Sequence, residues 1–389
     1  MADKRKKSAN TKTVSAKQKK KMTKRQKQKR KLILFGVEVV CLLFLLGILY
    51  VWSVVGKIDF NPLALGNAGI NEDLADDTLL KMEGYTNIAL FGLDNRESGS
   101  YDKGHSDTII IASINNETRE VRLVSVYRDT YLRVSTEESY NKANNAYYKG
   151  GPEQAVQMLN SNLDLSITEY ICVDWAALVQ AIDALGGVDI EITEQEVGLI
   201  NSYMWEIDEM MGTTSSQVTG AGVQTLSGTQ ATSYARIRKT SGDDFKRSSR
   251  QRIVLEAMLN KAKTANIGTL LDICNVVFDD ISTTLELSEI LGLAMHVKEY
   301  QIVSTSGFPF DMTTRQISKI GDTVIPIVLE ENVKQLHLYL FGTEDYETSN
   351  TVHHISDTII EKSGVDASAS SINTDSYNNT AGQTGTNFE

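Results

Sequence analysis

Four arginines lie within 15 residues of a chain whose net charge is −11. Arg236 and Arg238 are two residues apart, as on one face of a strand, whereas Arg247 and Arg250 are three apart, as on one face of a helix. A strand followed by a helix would bring all four guanidinium groups to one point. Arginines grouped in this way bind phosphate or pyrophosphate through paired, charge-assisted hydrogen bonds. The alternative is a solvated, salt-bridged surface helix, and this segment alone favours neither.

Two aspartates, Asp94 and Asp107, lie on either side of a loop rich in Gly and Ser. Asp94 ends one apolar run and Asp107 opens the next, so both are predicted at strand ends. If the strands are neighbours, both carboxylates point to one edge of the sheet, where they can hold Mg²⁺ together with water and substrate phosphates. Each acid taken singly is more simply explained as the cap of a turn. Together with the arginines, a site for Mg²⁺ and pyrophosphate is the better explanation.

Arg128 and Asp129 follow a third predicted strand. Asn115 and Asn116 are typical of a hairpin turn, which would make this strand antiparallel to the second one. In that arrangement Arg128 approaches the edge of the sheet at which the two acids lie. Asp129 is then placed to hold an arginine.

The N-terminal residues 1–31 differ in charge from the rest of the chain. They contain 15 Lys or Arg and one acid, Asp3, which gives +14, so residues 32–389 carry −25. This charge asymmetry predicts that the two parts of the chain lie in different cellular compartments rather than in one folded domain. The basic segment could instead be an arm that binds nucleic acid. The apolar segment that follows it argues against this alternative, and the rest of the sequence has no DNA-binding motif.

Residues 32–55 form an apolar stretch of 24 residues with one charge, Glu38. As a helix this stretch would span roughly 36 Å, enough to cross a bilayer core. The preceding positive charge predicts a cytoplasmic N-terminus and an extracytoplasmic remainder. The sequence therefore predicts a retained, single-pass type II anchor in the cell membrane, with the basic tail contacting anionic lipid.

Beyond this anchor the sequence predicts a linker (56–84), one extracytoplasmic domain (85–345) and a C-terminal extension (346–389). Ser, Asn, Thr and Gly dominate the extension from about residue 367, which predicts disorder there. Helical and strand patterns are mixed along the domain, and its first strands are connected as hairpins. The expected fold is therefore α/β (α+β), with a mixed, largely antiparallel central sheet flanked by helices.

The remaining features are less informative. Cys172 and Cys274 could form one extracytoplasmic disulfide, but two cysteines are not a disulfide framework or a metal site. A large exported domain without such a framework suits a Gram-positive bacterium. The segment 194–222 has no usable pattern and could be a flexible flap or ordinary packing.

Several of these motifs, taken together and in order, resemble the LytR-CpsA-Psr family over residues 85–345. A segment from Asp174 to Ile190 resembles the middle of that family, in which an aromatic residue is common at the position of Trp175. The remaining motifs that carry the resemblance are Gly92-Leu-Asp94, Ser106-Asp107-Thr-Ile, Ser125-Val-Tyr-Arg128-Asp129-Thr, Tyr234-Ala-Arg236-Ile-Arg238 and Asp244-Phe-Lys-Arg247-Ser-Ser-Arg250-Gln251.

The resemblance implies a membrane-anchored phosphotransferase of cell-wall assembly. Such an enzyme moves a glycopolymer (teichoic acid, capsule or a rhamnose polysaccharide) from a polyprenyl-pyrophosphate carrier to peptidoglycan. Asp94 and Asp107 would bind Mg²⁺, and Asp107, with Asp129 behind it, is the candidate proton acceptor. The residues expected to bind the pyrophosphate are Arg128, Arg236, Arg238 and Arg247, with Arg250 and Gln251 beside them.

A hydrophobic tunnel for the lipid tail is a further implication of the resemblance. Its candidate lining residues are Trp175, Leu178, Val179 and Ile182, which at helical spacing are more simply explained as core. Two alternatives to transfer remain: a sensor or carrier that binds lipid-linked precursors without turnover, and a polyprenyl-pyrophosphate hydrolase. A transcription regulator finds no support, since the external domain is large and no DNA-binding motif is present. A Ser-His-Asp hydrolase finds none either, since the five histidines are scattered.

Overall fold

The computed structural model describes residues 59–60, 68–94, 101, 104–238, 243–277 and 281–372. The predicted basic tail and membrane anchor lie outside these residues, as do the last 17 residues of the predicted disordered end. Within the described part of the chain, no helix combines the length and apolar character needed to cross a membrane.

The strands are numbered in chain order. They are β1 (Asp59–Phe60), β2 (Tyr85–Leu93), β3 (Ser106–Asn115), β4 (Glu120–Val126), β5 (Tyr131–Arg133), β6 (Tyr140–Lys142), β7 (Glu169–Val173), β8 (Val188–Ile192), β9 (Gly222–Leu226), β10 (Ile281–Thr283), β11 (Gln301–Phe308), β12 (Met312–Ile317) and β13 (Gly321–Pro326).

The helices are numbered in the same way. They are α1 (Asp76–Glu83), α2 (Asn144–Leu163), α3 (Trp175–Ala184), α4 (Glu194–Met211), α5 (Gly228–Arg236), α6 (Asp243–Thr264), α7 (Ile267–Val277), α8 (Leu287–Met295), α9 (Leu329–Phe341) and α10 (Asn350–Ser363).

A seven-stranded sheet with the order β1-β10-β7-β2-β3-β4-β11 forms the centre of the domain. The pairs β10–β7, β2–β3 and β3–β4 are antiparallel, whereas β1–β10, β2–β7 and β4–β11 are parallel. The prediction of a mixed sheet flanked by helices is therefore confirmed, but antiparallel pairs do not predominate. The parallel pairs arise because β7 and β11 enter the sheet after long connections that contain helices.

The hairpin β2–β3 places the two predicted acids at one edge of the sheet. Its register pairs Gly92 with Thr108 and Leu93 with Ser106, so the end of β2 faces the start of β3. The hairpin β3–β4 is also antiparallel and pairs Ile110 with Ser125. The chain leaving β4 therefore runs toward the start of β3, as predicted.

Both faces of the central strands are buried, which explains their continuous apolar sequence. In β3, Ile109 and Ile111 pack into the large core beneath α2, α9 and α10, whereas Ile110 packs on the opposite face. A separate core lies beside the sheet and is formed by α3, α4, α5, β8, β9 and α6. This core and the one beneath α2, α9 and α10 are the two largest among the described residues.

The prediction of a strand at Arg236 and Arg238 is wrong. Arg236 is the last residue of α5, and Arg238 lies just beyond that helix. Ser227 and Gln230 form a reciprocal capping box at its start, which stabilises the helical conformation. The two arginines nevertheless approach the same cavity, because the chain turns away from the helix between them.

Segment 194–222, for which the sequence suggested a flap or simple packing, begins with the 18-residue helix α4. A capping box between Thr193 and Glu196 starts the helix. Ile200 and Met204 anchor it in the second core, and Ile207 packs in a separate small cluster with Trp175 and Val179. Cys172, one of the two cysteines of the possible disulfide, is buried in the large core, where the hydroxyl of Tyr147 donates a hydrogen bond of 3.2 Å to its Sγ.

The predicted C-terminal extension contributes to the fold. Helix α10 begins after Ser349, whose hydroxyl accepts a hydrogen bond from the Val352 amide. Val352, Ile355 and Ile359 are fully buried in the large core. Burying aliphatic side chains of this size stabilises a fold by about 1.5–3 kcal/mol each, so α10 is an integral part of the domain.

Candidate active site

Asp107 is the centre of a cluster of charged residues at the edge of the sheet. Its Oδ1 accepts a hydrogen bond of 2.8 Å from Nη1 of Arg128, and its Oδ2 accepts one from Nη2 of Arg238. Arg247 donates to the same Oδ2 and to the backbone carbonyl of Asp107, both at 3.3 Å. Three arginines, two of them just beyond the ends of β4 and α5 and one on α6, thus converge on one carboxylate from β3.

Asp244 is a second acid of this cluster, to which the sequence analysis gave no role. It lies one turn before Arg247 on α6 and contacts that arginine at 3.3 Å. It also accepts a hydrogen bond of 3.1 Å from Nε of Arg128. The i,i+3 spacing of Asp244 and Arg247 was a usable signal for this pair.

The protonation of the cluster follows from burial and charge. Burial raises the pKa of Asp107, but Arg128, Arg247 and Arg238 outweigh this effect and hold the pKa below its usual value. The same opposition leaves the pKa of Asp244 lowered. For Arg128, burial lowers the pKa, but Asp107 and Asp244 raise it by more. All three groups therefore remain charged at neutral pH.

Asp94 lies on the other side of the site and is held by Trp175. The indole Nε1 donates a hydrogen bond of 2.9 Å to Oδ1 of Asp94, whose side chain is 45% exposed. Arg236 lies over the indole, with its guanidinium carbon 5.3 Å from the ring centroid. Its Nη2 is 4.0 Å from Asp94 and 2.8 Å from Oε2 of Glu206. The position of Asp94 therefore depends on an aromatic residue at the start of α3.

A cavity of about 170 Å³ brings most of the predicted site residues together. Two of its lining residues come from α4 and were missed by sequence reasoning. The cavity is lined by Asp94, Asp107, Trp175, Tyr203, Glu206, Arg236, Arg238, Arg247 and Gln251.

Two buried donors in this cavity indicate an absent acceptor. Nε of Arg247 and Nε2 of Gln251 have no hydrogen-bond partner in the part of the chain that the structure describes. Both residues are nearly inaccessible to solvent, with 3% and 7% of their surface exposed. Because buried polar groups are almost always hydrogen-bonded, these donors fit an oxygen-rich ligand.

An apolar cavity of about 240 Å³ adjoins the charged one and shares Trp175 and Gln251 with it. Leu178 contributes to its lining, as suggested from the sequence, whereas Val179 and Ile182 are buried in the cores. The other apolar side chains in its wall are Leu90, Phe91, Ile110, Ile171, Val173, Ala235, Val254 and Leu255.

Arg128 and Asp129 line a third, wider cleft of about 700 Å³ that also contains Asp107 and Arg238. Asp129 contacts Nζ of Lys142 at 3.1 Å and Nε of Arg128 at 3.5 Å. Asp129 therefore orients an arginine of the site, as the sequence suggested.

Arg250 is not among the residues that converge on the two acids. It is 5% exposed, and its Nε donates a 2.9 Å hydrogen bond to Oε1 of Glu196 at the start of α4. Its Nη1 donates to the carbonyl of Ile237, and the guanidinium lies 5.7 Å from the ring centroid of Tyr234. Arg250 thus joins α6 to α4 and α5, although it shares a helix with Arg247.

The carboxylates of the site suit a metal that is shared with a substrate. The described residues contain no group of three acidic, His or Cys side chains that could hold a metal ion alone. Asp94 and Asp107 line one cavity, and Mg²⁺ takes one or two carboxylates and completes its coordination with water and phosphate oxygens. The donor chemistry therefore fits Mg²⁺ in the presence of a phosphate-bearing ligand.

The fold is shared with solved structures. A structure described as TagT bound to LI-WTA aligns with 78% of this chain and 100% of its own, with a TM-score of 0.53 and 18% identity. A structure of the LytR-CPS2A-psr family protein YwtF (TagT) with bound octaprenyl pyrophosphate lipid aligns over the same shares, with a TM-score of 0.50 and 17% identity.

Sequence comparison gives the family. The polyisoprenyl-teichoic acid–peptidoglycan teichoic acid transferase TagU of Enterococcus faecalis is 28% identical over 259 residues, which cover 64% of this chain and 79% of the relative. The relatives are thus named as transferases, the class of enzyme that the motifs implied. The LytR_cpsA_psr family model matches residues 65–335. The chain therefore belongs to the LytR-CpsA-Psr family, as its ordered motifs predicted.

Proposed function

We propose that this protein is a phosphotransferase that moves a glycopolymer from a polyprenyl-pyrophosphate carrier to peptidoglycan. The observation that carries the proposal is the junction of an arginine-lined cavity with an apolar cavity at Trp175 and Gln251. A lipid pyrophosphate has one charged and one apolar part, and the two adjoining cavities match them. The teichoic acid transferases among the relatives support this choice of reaction.

In this proposal the arginines bind the pyrophosphate. Arg238, Arg247 and Arg236 line the charged cavity, and the buried donors of Arg247 and Gln251 gain acceptors when phosphate oxygens enter. An acceptor hydroxyl attacks the phosphorus next to the glycopolymer, the bond from this phosphorus to the bridging oxygen breaks, and polyprenyl phosphate leaves. The proton of the hydroxyl passes to a phosphate oxygen of the substrate. The cationic side chains then stabilise the negative charge on the transferring group and on the leaving phosphate.

Asp94 and Asp107 are the residues that would hold Mg²⁺, which when bound supplies positive charge beside the two phosphates. The lowered pKa of Asp107 makes its carboxylate a weak base, since proton acceptors work best when their pKa is close to the working pH. We therefore assign Asp107 to binding and to the orientation of arginines, rather than to the proton transfer considered from the sequence.

The membrane anchor predicted at residues 32–55 completes the proposal. A carrier with a long prenyl tail stays in the bilayer, so an enzyme held at the same membrane meets it by diffusion in two dimensions. The predicted type II topology puts the domain outside the cytoplasm, on the side where the cell wall is assembled.

The experiment uses the full chain in detergent micelles with Mg²⁺, a polyprenyl-pyrophosphate-linked oligosaccharide and an uncross-linked peptidoglycan glycan. We expect release of polyprenyl phosphate together with a phosphodiester between the two glycans. Release without this linkage would identify a hydrolase, and binding without release would identify a carrier or sensor. Either of these two results would refute the proposed transfer.

A further inference from the structure

The cleft that surrounds Trp205 has no role in the mechanism described above. It measures about 310 Å³ and shares Asp94, Trp175 and Arg236 with the site. Its remaining lining residues come from α4 and are Trp205, Glu206, Ile207, Glu209 and Met210. A ligand in this cleft would therefore lie directly beside the charged cavity.

Trp205 is presented outward by the way α4 is anchored. Ile200, Met204 and Ile207 are buried on the inner face of the helix, whereas 61% of the Trp205 surface is exposed. Glu209 lies one turn further along on the same side as Trp205. The outer face of the helix thus combines a large aromatic ring with carboxylates.

This combination matches the chemistry of a sugar. The face of an indole ring carries partial negative charge and packs against the C–H groups of a pyranose, while carboxylates accept hydrogen bonds from its hydroxyl groups. Glu206 and Glu209 provide these acceptors, and Glu206 is held by Arg236 at 2.8 Å. A purely apolar ligand would make no use of these acceptors.

The Trp205 cleft differs in charge from the wider cleft that Asp107 and Arg128 line. The Trp205 cleft contains three acids, Asp94, Glu206 and Glu209, against one arginine. The wider cleft has four basic residues, including Lys142 and Lys319, against three acids. A donor polymer that carries phosphates, as teichoic acids do, is repelled by the acidic cleft and accommodated by the basic one.

We propose that the Trp205 cleft binds a sugar of the acceptor peptidoglycan glycan, with Trp205 stacked on the ring and Glu206 and Glu209 bound to its hydroxyl groups. The inference rests on the proposed transferase function and assigns the acceptor, one of its two substrates, to the Trp205 cleft. It makes α4 the element that brings the acceptor to the pyrophosphate.

Steady-state kinetics of the full chain in micelles test this assignment, with donor and acceptor varied separately. Trp205→Ala should raise the KM for the acceptor about five- to tenfold, as expected for the loss of one aromatic contact, and Trp205→Tyr should restore most of the affinity. The KM for the lipid donor should stay the same. Leu338→Ala removes an exposed side chain on α9 that lines none of these cavities and serves as the matched control.

Two results would overturn the inference: an unchanged acceptor KM in Trp205→Ala, or a raised donor KM, which would place donor sugars in the cleft. Calorimetric titration of the donor-free protein with an uncross-linked peptidoglycan glycan separates this inference from the proposed function. Binding that Trp205→Ala and Glu209→Gln both weaken supports the acceptor site even if no transfer occurs. Binding of equal strength in all variants refutes it even if transfer does occur.

Discussion

Nη1 of Arg128 lies 2.8 Å from Oδ1 of Asp107, and this contact joins the end of β4 to the start of β3. The carboxylate also receives Arg238 and Arg247, so one acid contacts three cationic side chains at the site. A buried charge cluster of this kind gives little net stability, because desolvation offsets the attraction. The effect of the cluster is instead to fix positions, since it keeps the arginines together near a cavity that fits a phosphate.

Arg236→Ala should lower kcat/KM for transfer, because a charge-assisted contact to the transferring group is lost. The corresponding loss of transition-state stabilisation should be about 2–4 kcal/mol. Arg236→Lys keeps the charge but not the planar fork and should recover only part of the rate. The measurement is kcat/KM with purified donor and acceptor. Arg315→Ala, at an exposed arginine on β12, is the control, and an unaltered rate in Arg236→Ala would exclude the role given to this residue.

Chelation of divalent ions should abolish transfer, and added Mg²⁺ should restore it. Asp94→Asn should raise the Mg²⁺ concentration needed for half-maximal rate by at least about tenfold, because one carboxylate charge beside the ion is removed. Asp322→Asn changes an exposed acid on β13 and should leave this concentration unaffected. Full activity in EDTA would rule out the metal, whatever the variants show.

Leu178→Trp should narrow the apolar cavity and weaken donors with long prenyl chains more than donors with short ones. The larger side chain occupies space between α3 and the sheet that the lipid tail would otherwise fill. The measurement is the KM for two donors that differ only in prenyl length, with Leu338→Trp as the control at an exposed position. Equal effects on both donors would show that the tail does not use this cavity.

The free energy of unfolding should depend on pH through His337, which is not a residue of the candidate active site. Burial lowers the pKa of this imidazole to about 4. The ring stacks on that of Tyr346, with 3.7 Å between the ring centroids. Between about pH 6.5 and 4 the unfolded chain binds a proton that the folded chain does not, so stability falls as the pH falls through this window, by about 3 kcal/mol in total.

His337→Gln should flatten this pH dependence, which denaturant titration at several pH values measures. His354→Gln, at an exposed histidine, should leave the dependence as in the parent protein. Parallel pH profiles for the parent and His337→Gln would show that His337 does not titrate as proposed.

The acids of the site were predictable because their positions depend on local patterns. Asp94 and Asp107 flank the loop of one hairpin, and Arg128 follows the next hairpin, so strand adjacency alone brings them together. The helical conformation of Arg236 was missed, although the Ser227-x-x-Gln230 pattern shortly before it is a capping signal. There the two-residue spacing of the arginines was given more weight than the cap.

Other features depend on contacts that no local pattern contains. Arg250 shares a helical face with Arg247, but Glu196, which is 54 positions away in sequence, accepts its hydrogen bond. Glu206 enters the site only because α4 packs beside α5. Spacing within one helix determines which residues share a face, whereas the fold determines what each one meets.

The ion pair of Arg238 with Asp107 connects parts of the domain that pack around different hydrophobic cores. Asp107 lies in β3 of the central sheet, whereas Arg238 lies just beyond α5, a helix of the second core. Arg238 also lines the cavity proposed for the pyrophosphate. A substrate that bound this arginine would compete with Asp107 for it, so binding at the site and the contact between the two cores would be coupled through one side chain.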